Sequence, residues 1–154
     1  MGITELTKRP SIENNSRLRS KYFQFEKLLN ELNTKELTNE IMLAINNNIK
    51  QLNAITNSEK ELGKQLKKSQ TTILRILEKD LKLVPKNHYR NTWLAIGMSA
   101  FGIPLGVAFG ASLENMAFIG IGLPIGMAIG IAVGTSMDKK ASDNGKQLDI
   151  EIKP

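Results

Sequence analysis

Hydrophobic positions fall into two regimes along the chain, spaced at helical intervals among charged residues at first and nearly continuous from Trp93 to Met137. In the first regime Leu18, Tyr22, Phe25, Leu29 and Leu32 step by four and three, which aligns them on one helical stripe. Asn33 and Thr34 interrupt it. A second helix over residues 35–55 carries Leu37, Ile41, Ile45, Ile49, Leu52 and Ile55 on one face, with Asn46, Asn47, Asn48 and Lys50 largely turned away. Ser58 followed by Glu61 fits a capping box, in which each side chain satisfies a free amide of a new first turn. The third helix then has Leu62, Leu66, Ile73, Ile76, Leu77 and Leu81 on its inner face, weakened by Gly63 and by Ser69 and Gln70 in the middle, and Pro85 ends it. Similar lengths and short links favour an antiparallel three-helix bundle; a helical hairpin or coiled coil with one long helix results if Asn57 and Ser58 do not break the chain.

The second regime reads as membrane. Arg90 is followed by twenty-three uncharged residues, then Glu114, then twenty-three more, then Asp138. About 20 apolar residues in a helix cross a hydrocarbon core of roughly 30 Å, so two transmembrane helices are expected. A carboxylate at the bilayer centre costs roughly 3 kcal/mol on insertion scales. Glu114 and Asn115 are therefore expected to form the hairpin turn at a membrane face. The fold class is all-α, with an N-terminal helical bundle followed by a two-helix transmembrane hairpin. In domain terms this means a loose lead-in over residues 1–10, a cytoplasmic helical module over 11–85, an interfacial link over 86–92, the hairpin over 93–137 and a polar tail over 138–154. Leu148, Ile150 and Ile152 alternate as an edge strand would, but with no visible strand partner a loose tail is expected.

Glycine spacing sharpens the hairpin. Gly102, Gly106 and Gly110 step by four, as do Gly122, Gly126, Gly130 and Gly134, and the unit Gly102, Pro104, Gly106, Ala108, Gly110 recurs twenty residues on. Small residues four apart let two backbones approach closely, which in lipid supplies the packing that hydrophobicity cannot. Equal counting from the turn sets Gly106 level with Gly122 and Gly102 level with Gly126. Pro104 and Pro124 fall at matched depth, where each removes a hydrogen bond and is expected to kink its helix. Gly130 and Gly134 extend beyond the overlap, which leaves glycine surface for another subunit.

These rows resemble those of small bacterial glycine-zipper membrane proteins, over residues 93–137 only. The resemblance implies self-association and no particular task. A proton-translocating rotor subunit is similar in outline, but that family needs a carboxylate within the membrane, which this hairpin lacks.

Charge assigns the orientation. Of the net +6, residues 1–91 contribute +7 (seventeen Lys and Arg against ten Asp and Glu), Glu114 contributes −1 and the tail is neutral. Lys79, Lys82, Lys86 and Arg90 precede the first membrane helix, Lys139 and Lys140 follow the second, and the turn has no positive charge, so both termini are expected to be cytoplasmic. Tyr89 and Trp93 stand where amphipathic rings prefer headgroup depth, and the basic residues find anionic headgroups as partners. The start, MGITELTKRP, lacks an apolar signal-peptide core and has Leu6 where a myristoylation signal wants Ser or Thr, so the hairpin is expected to do the targeting.

Candidate chemistry changes little. Cysteine is absent and His88 is the one histidine, which argues against thiol chemistry and histidine-cluster metal sites. Acidic pairs in a catalytic context, a nucleophile with a base, and a phosphate loop are all missing, so neither an enzyme nor a cofactor is expected. Lys64, Lys67, Lys68 and Arg75 have no aromatic platform beside them and read as a solvated face, not a nucleic-acid site. The reading is a membrane protein that self-associates and presents its module for assembly or to an unidentified protein partner; the alternative is an oligomeric pore or membrane-permeabilising effector.

Overall fold

Local capping defines each bundle helix. In the computed structural model, which describes residues 2–9, 12, 15–56 and 58–153, the first helix, α1, spans Ser16–Asn33. Pro10, expected to end the lead-in, and Asn57, the possible break before the third helix, lie outside the described residues. Asn15 Oδ1 accepts the Leu18 N–H at 3.1 Å to start α1, and Thr38 caps the second helix, α2, at Asn39–Ala54. Ser58 Oγ accepts the Glu61 N–H at 3.2 Å and opens α3, Glu59–Ile76. Such caps satisfy amides that the first turn leaves without partners, each worth about 1 kcal/mol. Acidic Glu59 and Glu61 at the start of α3 and Arg75 at its end also complement the helix dipole. A π-helical turn over Leu77–Leu81 follows, and Lys82 leaves it in the left-handed region.

The protein is mostly helical, and the chain divides into two units: Met1–Leu83 with Leu148–Pro154, and Val84–Gln147. In the first, α3 packs on both α1 and α2, with Phe25, Leu28, Leu32, Ile45, Ile49, Leu66 and Ile73 removed from solvent. Ser69 occupies the centre of α3, fully buried, and accepts a hydrogen bond from Gln65 Nε2. A serine there fills the step between Leu66 and Ile73 with little volume, which lets α3 lie close to its neighbours.

Both ends of the first unit differ from the sequence expectation. Residues 2–9 of the lead-in run along α2, tied through their backbone to Asn46 and Asn53. Asn46 is not turned away but buried, with its carboxamide accepting the Thr4 N–H at 2.7 Å and donating to the Gly2 carbonyl at 3.1 Å. The polar tail is also ordered. Val84–Lys86 (β1) and Gln147–Glu151 (β2) form a two-stranded parallel sheet, which gives the alternating tail its strand partner. Leu148 and Ile150 join the core of the bundle unit. A three-residue strand containing a proline had no pattern of its own to announce it.

The second unit is a helical hairpin. Its first arm runs from His88 to Ser112, as α4 (His88–Ile96), a π-helical turn (Gly97–Gly102) and α5 (Ile103–Ser112). Its second arm is a 3-10 turn at Met116–Phe118 followed by α6, Ile119–Asp143.

Candidate membrane-spanning hairpin

A repeat of four residues sorts α6 into columns. Gly122, Gly126, Gly130, Gly134 and Asp138 are buried, whereas Gly120, Pro124, Ala128, Ala132 and Ser136, on the opposite side, are exposed. Ile121, Ile125, Ile129, Val133 and Met137 flank the buried column as exposed apolar side chains. Four residues turn a helix by slightly more than one revolution, so such a column stays on one side for many turns. The glycine column faces the first arm.

Contact there is backbone on backbone. A Cβ placed on Gly122 would stand 2.6 Å from the Gly106 Cα, and one on Gly126 would stand 2.6 Å from the Gly102 Cα. Glycine is required at both because neither partner atom can rotate away. At Gly110, near the turn, a Cβ would first meet side-chain atoms of Ile119 and Met116 at 3.3 Å, a looser contact.

The first arm reaches further than a link at 86–92 allows, since α4 already begins at His88. Gly130 and Gly134 therefore do not extend beyond the overlap. A Cβ on Gly130 would stand 2.8 Å from the Trp93 carbonyl carbon, and one on Gly134 would stand 2.5 Å from the Arg90 Cα. The surface expected to be left for another subunit is filled by α4 of the same chain.

The π-helical turn explains how one arm supplies both segments of contact. Ile103 donates its N–H to the Met98 carbonyl, five residues back. That inserts one residue into the spacing, so Gly97 and Gly102, five apart, share the buried face with Gly106 and Gly110. A Cβ on Gly97 would stand 2.8 Å from the Gly130 Cα. Pro104 stands two residues past the turn, in the first turn of α5, where its missing N–H is tolerated. Pro124 differs, since α6 continues through it. The two prolines, expected as matched kinks, thus sit in different local structures.

The buried column ends on a charge. Asp138 Oδ1 accepts the Tyr89 N–H at 3.0 Å and Oδ2 accepts the Arg90 N–H at 2.8 Å. Those amides lie in the first turn of α4, where a helix leaves donors without intrahelical partners and its dipole favours an anion. Asp138 looked in the sequence like the charge that closes an apolar run; it is the cap that joins the two arms. The signal was present in the step of four from Gly134.

The remaining candidate residues divide by end. Lys86, Arg90, Lys139 and Lys140 are exposed at the Asp138 end of the hairpin, with Tyr89 and Trp93 half-buried beside them. At the other end Glu114 is exposed with φ 50°, and the Asn115 N–H donates to the Gly110 carbonyl at 3.0 Å, closing α5. Asn115 Oδ1 accepts the Ala117 N–H at 3.0 Å and starts the second arm. Lys79 and Lys82 belong to the first unit, where Lys82 Nζ donates to the Lys79 carbonyl at 3.2 Å. Among the described residues no three metal-ligating side chains come together.

Both arms are long and apolar enough to cross a membrane, at 25 and 28 residues. Comparison of the chain with models of protein families, with curated proteins and with solved structures finds no match.

Proposed function

We propose that the chain is an integral membrane protein of two spans, held by the glycine-packed hairpin, with both termini cytoplasmic and the helical module available for assembly. The observation that carries this reading is the outer surface of the hairpin. Phe101, Ile103, Val107, Ile121, Ile125 and Ile129 are all exposed on arms whose inner faces are already closed against each other. Soluble monomers rarely expose apolar patches of more than a few hundred Å², whereas lipid accepts such a surface at no cost. A span of 25 residues reaches about 38 Å at 1.5 Å per residue.

Self-association is supported by the outer columns. Ala100, Pro104 and Ala108 on the first arm, and Gly120, Ala128 and Ala132 on the second, are exposed and small, so a second hairpin can approach closely there. Basic Lys86, Arg90, Lys139 and Lys140 at one end, against Glu114 at the other, support the cytoplasmic placement of the termini. They also suit anionic headgroups.

Fractionation tests the reading. The protein should stay with membranes through alkaline carbonate and require detergent for release; recovery in the soluble fraction would sink it. With no native cysteine, Glu114→Cys should react with an impermeant thiol reagent only from the non-cytoplasmic side, and Lys146→Cys only from the cytoplasmic side. Dye-loaded vesicles should stay tight, because the inner face of the hairpin is closed by backbone contact; concentration-dependent leakage would favour an oligomeric pore.

A further inference from the structure

We propose that the face of α2 carrying Asn46 and Asn53 is a binding site for an extended peptide, that residues 2–9 occupy it as a ligand in cis, and that its ligand in assembly is the same segment of a second copy of the chain. The inference rests on reading the module as an assembly surface.

The site reads backbone. Asn46 takes the Thr4 N–H and the Gly2 carbonyl, at 2.7 and 3.1 Å. Asn53 takes the Thr7 N–H and the Glu5 carbonyl, both at 3.0 Å. Each carboxamide thus presents one acceptor and one donor to one N–H and one C=O, as a neighbouring strand would. The spacing matches too. Seven residues of α2 rise about 10.5 Å, and three residues of extended chain cover about 9–10 Å. Asparagines one heptad apart therefore meet backbone groups three residues apart.

Side chains add the selectivity. Ile3 and Leu6 pack against the core of the bundle, and Arg9 Nη2 donates to the Leu52 carbonyl at 2.9 Å and the Asn53 carbonyl at 3.3 Å. Those carbonyls belong to the last turn of α2, where a cation is favoured. The three anchors recur every third residue, the repeat of a polyproline-II chain, which makes the ligand class apolar-x-x-apolar-x-x-Arg in extended form.

The segment is also built to leave. Gly2, Glu5, Thr7 and Lys8 are exposed, the other described residues of the segment are only half-buried, and both Asn53 bonds lie open to solvent. A hollow of about 310 Å³ lies along the segment, lined by Ile3, Leu6, Glu26, Leu29 and Asn33 among others. The Asn46 and Arg9 hydrogen bonds, and the one that the Tyr22 hydroxyl donates to the Thr7 carbonyl, are part-buried, so the exposed Asn53 pair is where the segment opens first. A second copy supplies a segment with the same four backbone groups and three anchors, and exchange of an identical element is a low-cost route to assembly. Confinement to one membrane raises the effective concentration of such copies.

Complementation with full-length chains in lipid nanodiscs tests this. A fluorescent peptide of residues 2–9 should bind the Leu6→Asp chain, whose own segment is weakened, and bind about tenfold or more weakly once Asn46→Ala and Asn53→Ala are added. Thr4→Pro, which removes the amide that Asn46 accepts, serves as a second weakened segment should Leu6→Asp fail to keep its helical circular dichroism. Mixing Leu6→Asp chains with Asn46→Ala/Asn53→Ala chains should give a pairing between modules, read as energy transfer from a dye on the segment of one chain to a dye on α2 of the other, that neither variant gives alone. Failure of the peptide to bind either folded, weakened chain overturns the site, and binding without pair formation overturns the second copy as its occupant. Ala128→Leu in both partners obstructs the hairpin face and should leave this module-to-module contact intact; if it abolishes that contact, the modules meet only through hairpin association, which overturns the exchange and leaves the proposed anchor standing.

Discussion

Gly126→Ala adds one methyl group to the hairpin, and the structure says what that methyl meets. Its Cβ would lie 2.5 Å from the Gly102 nitrogen and 2.6 Å from the Gly102 Cα, where ordinary contact begins at 3.4 Å. The difference is 3.4 − 2.5 = 0.9 Å at the Gly102 nitrogen and larger still at the Gly97 carbonyl oxygen, and it must come from the two helix axes, because the atoms in the way are backbone. Overpacking of this kind costs about 1–3 kcal/mol. It is opposed by the better helix propensity of alanine, worth up to about 1 kcal/mol. Gly120 provides the internal control, since a Cβ there meets nothing within 4 Å and the residue is exposed on the opposite side of α6. Gly120→Ala gains the propensity without the clash. The two substitutions should therefore differ by about 1–3 kcal/mol in the stability of arm pairing. Energy transfer between dyes on Thr92→Cys and Ser136→Cys, followed as the hairpin is opened in detergent, measures it without interference from native thiols. Equal stability of the two variants would refute the claim that backbone contact at Gly126 holds the arms.

Asp138→Ala should free the Tyr89 and Arg90 amides and cost about 1–2 kcal/mol, read as faster hydrogen exchange at those two positions while exchange near Gly106 stays slow. Unchanged exchange at both would remove Asp138 as the cap. In the bundle, burial pushes the Tyr22 phenol above its usual value of 10.0, against the opposing pull of Arg9. A folded value above the unfolded one means the associated stability is fully present below pH 10 and is lost as pH rises through the folded value. Tyr22→Phe should thus flatten the alkaline limb of module stability between those values; an unaltered limb would assign it elsewhere. Ser69→Leu should destabilise the module by about 1–3 kcal/mol in thermal melts, because the added side chain has no space beneath α3, and a rise in melting temperature would show an unfilled cavity there instead.

The sequence by itself determined the helical class of this protein and the positions of its main elements. Stripes such as Leu18–Tyr22–Phe25 and Ile41–Ile45–Ile49 place a helix on a core because burial follows the 3.6-residue period, and Ser58 announces α3 through a hydrogen bond made within one turn. The long uncharged runs and the polar pair at Glu114 and Asn115 are equally local, so the two arms and the turn between them could be read directly. Tertiary structure decided what depends on partners distant in sequence. Asn46 looks turned away from the core, and Asn53 carries no signal, until a segment more than forty positions away brings its backbone to them. The tail alternates without meaning until Val84–Lys86 supplies a strand, and Asp138 is only a boundary charge until α4 brings its free amides to it. The one-residue insertion at the π-helical turn is the sharpest case. It brings Gly97 onto the glycine face although five-residue spacing breaks the rule that identified the others, and the early start of α4 then sets Trp93 and Arg90 against Gly130 and Gly134. A polar group or a glycine gains its role from whichever backbone arrives beside it, and no periodicity within its own segment records that arrival.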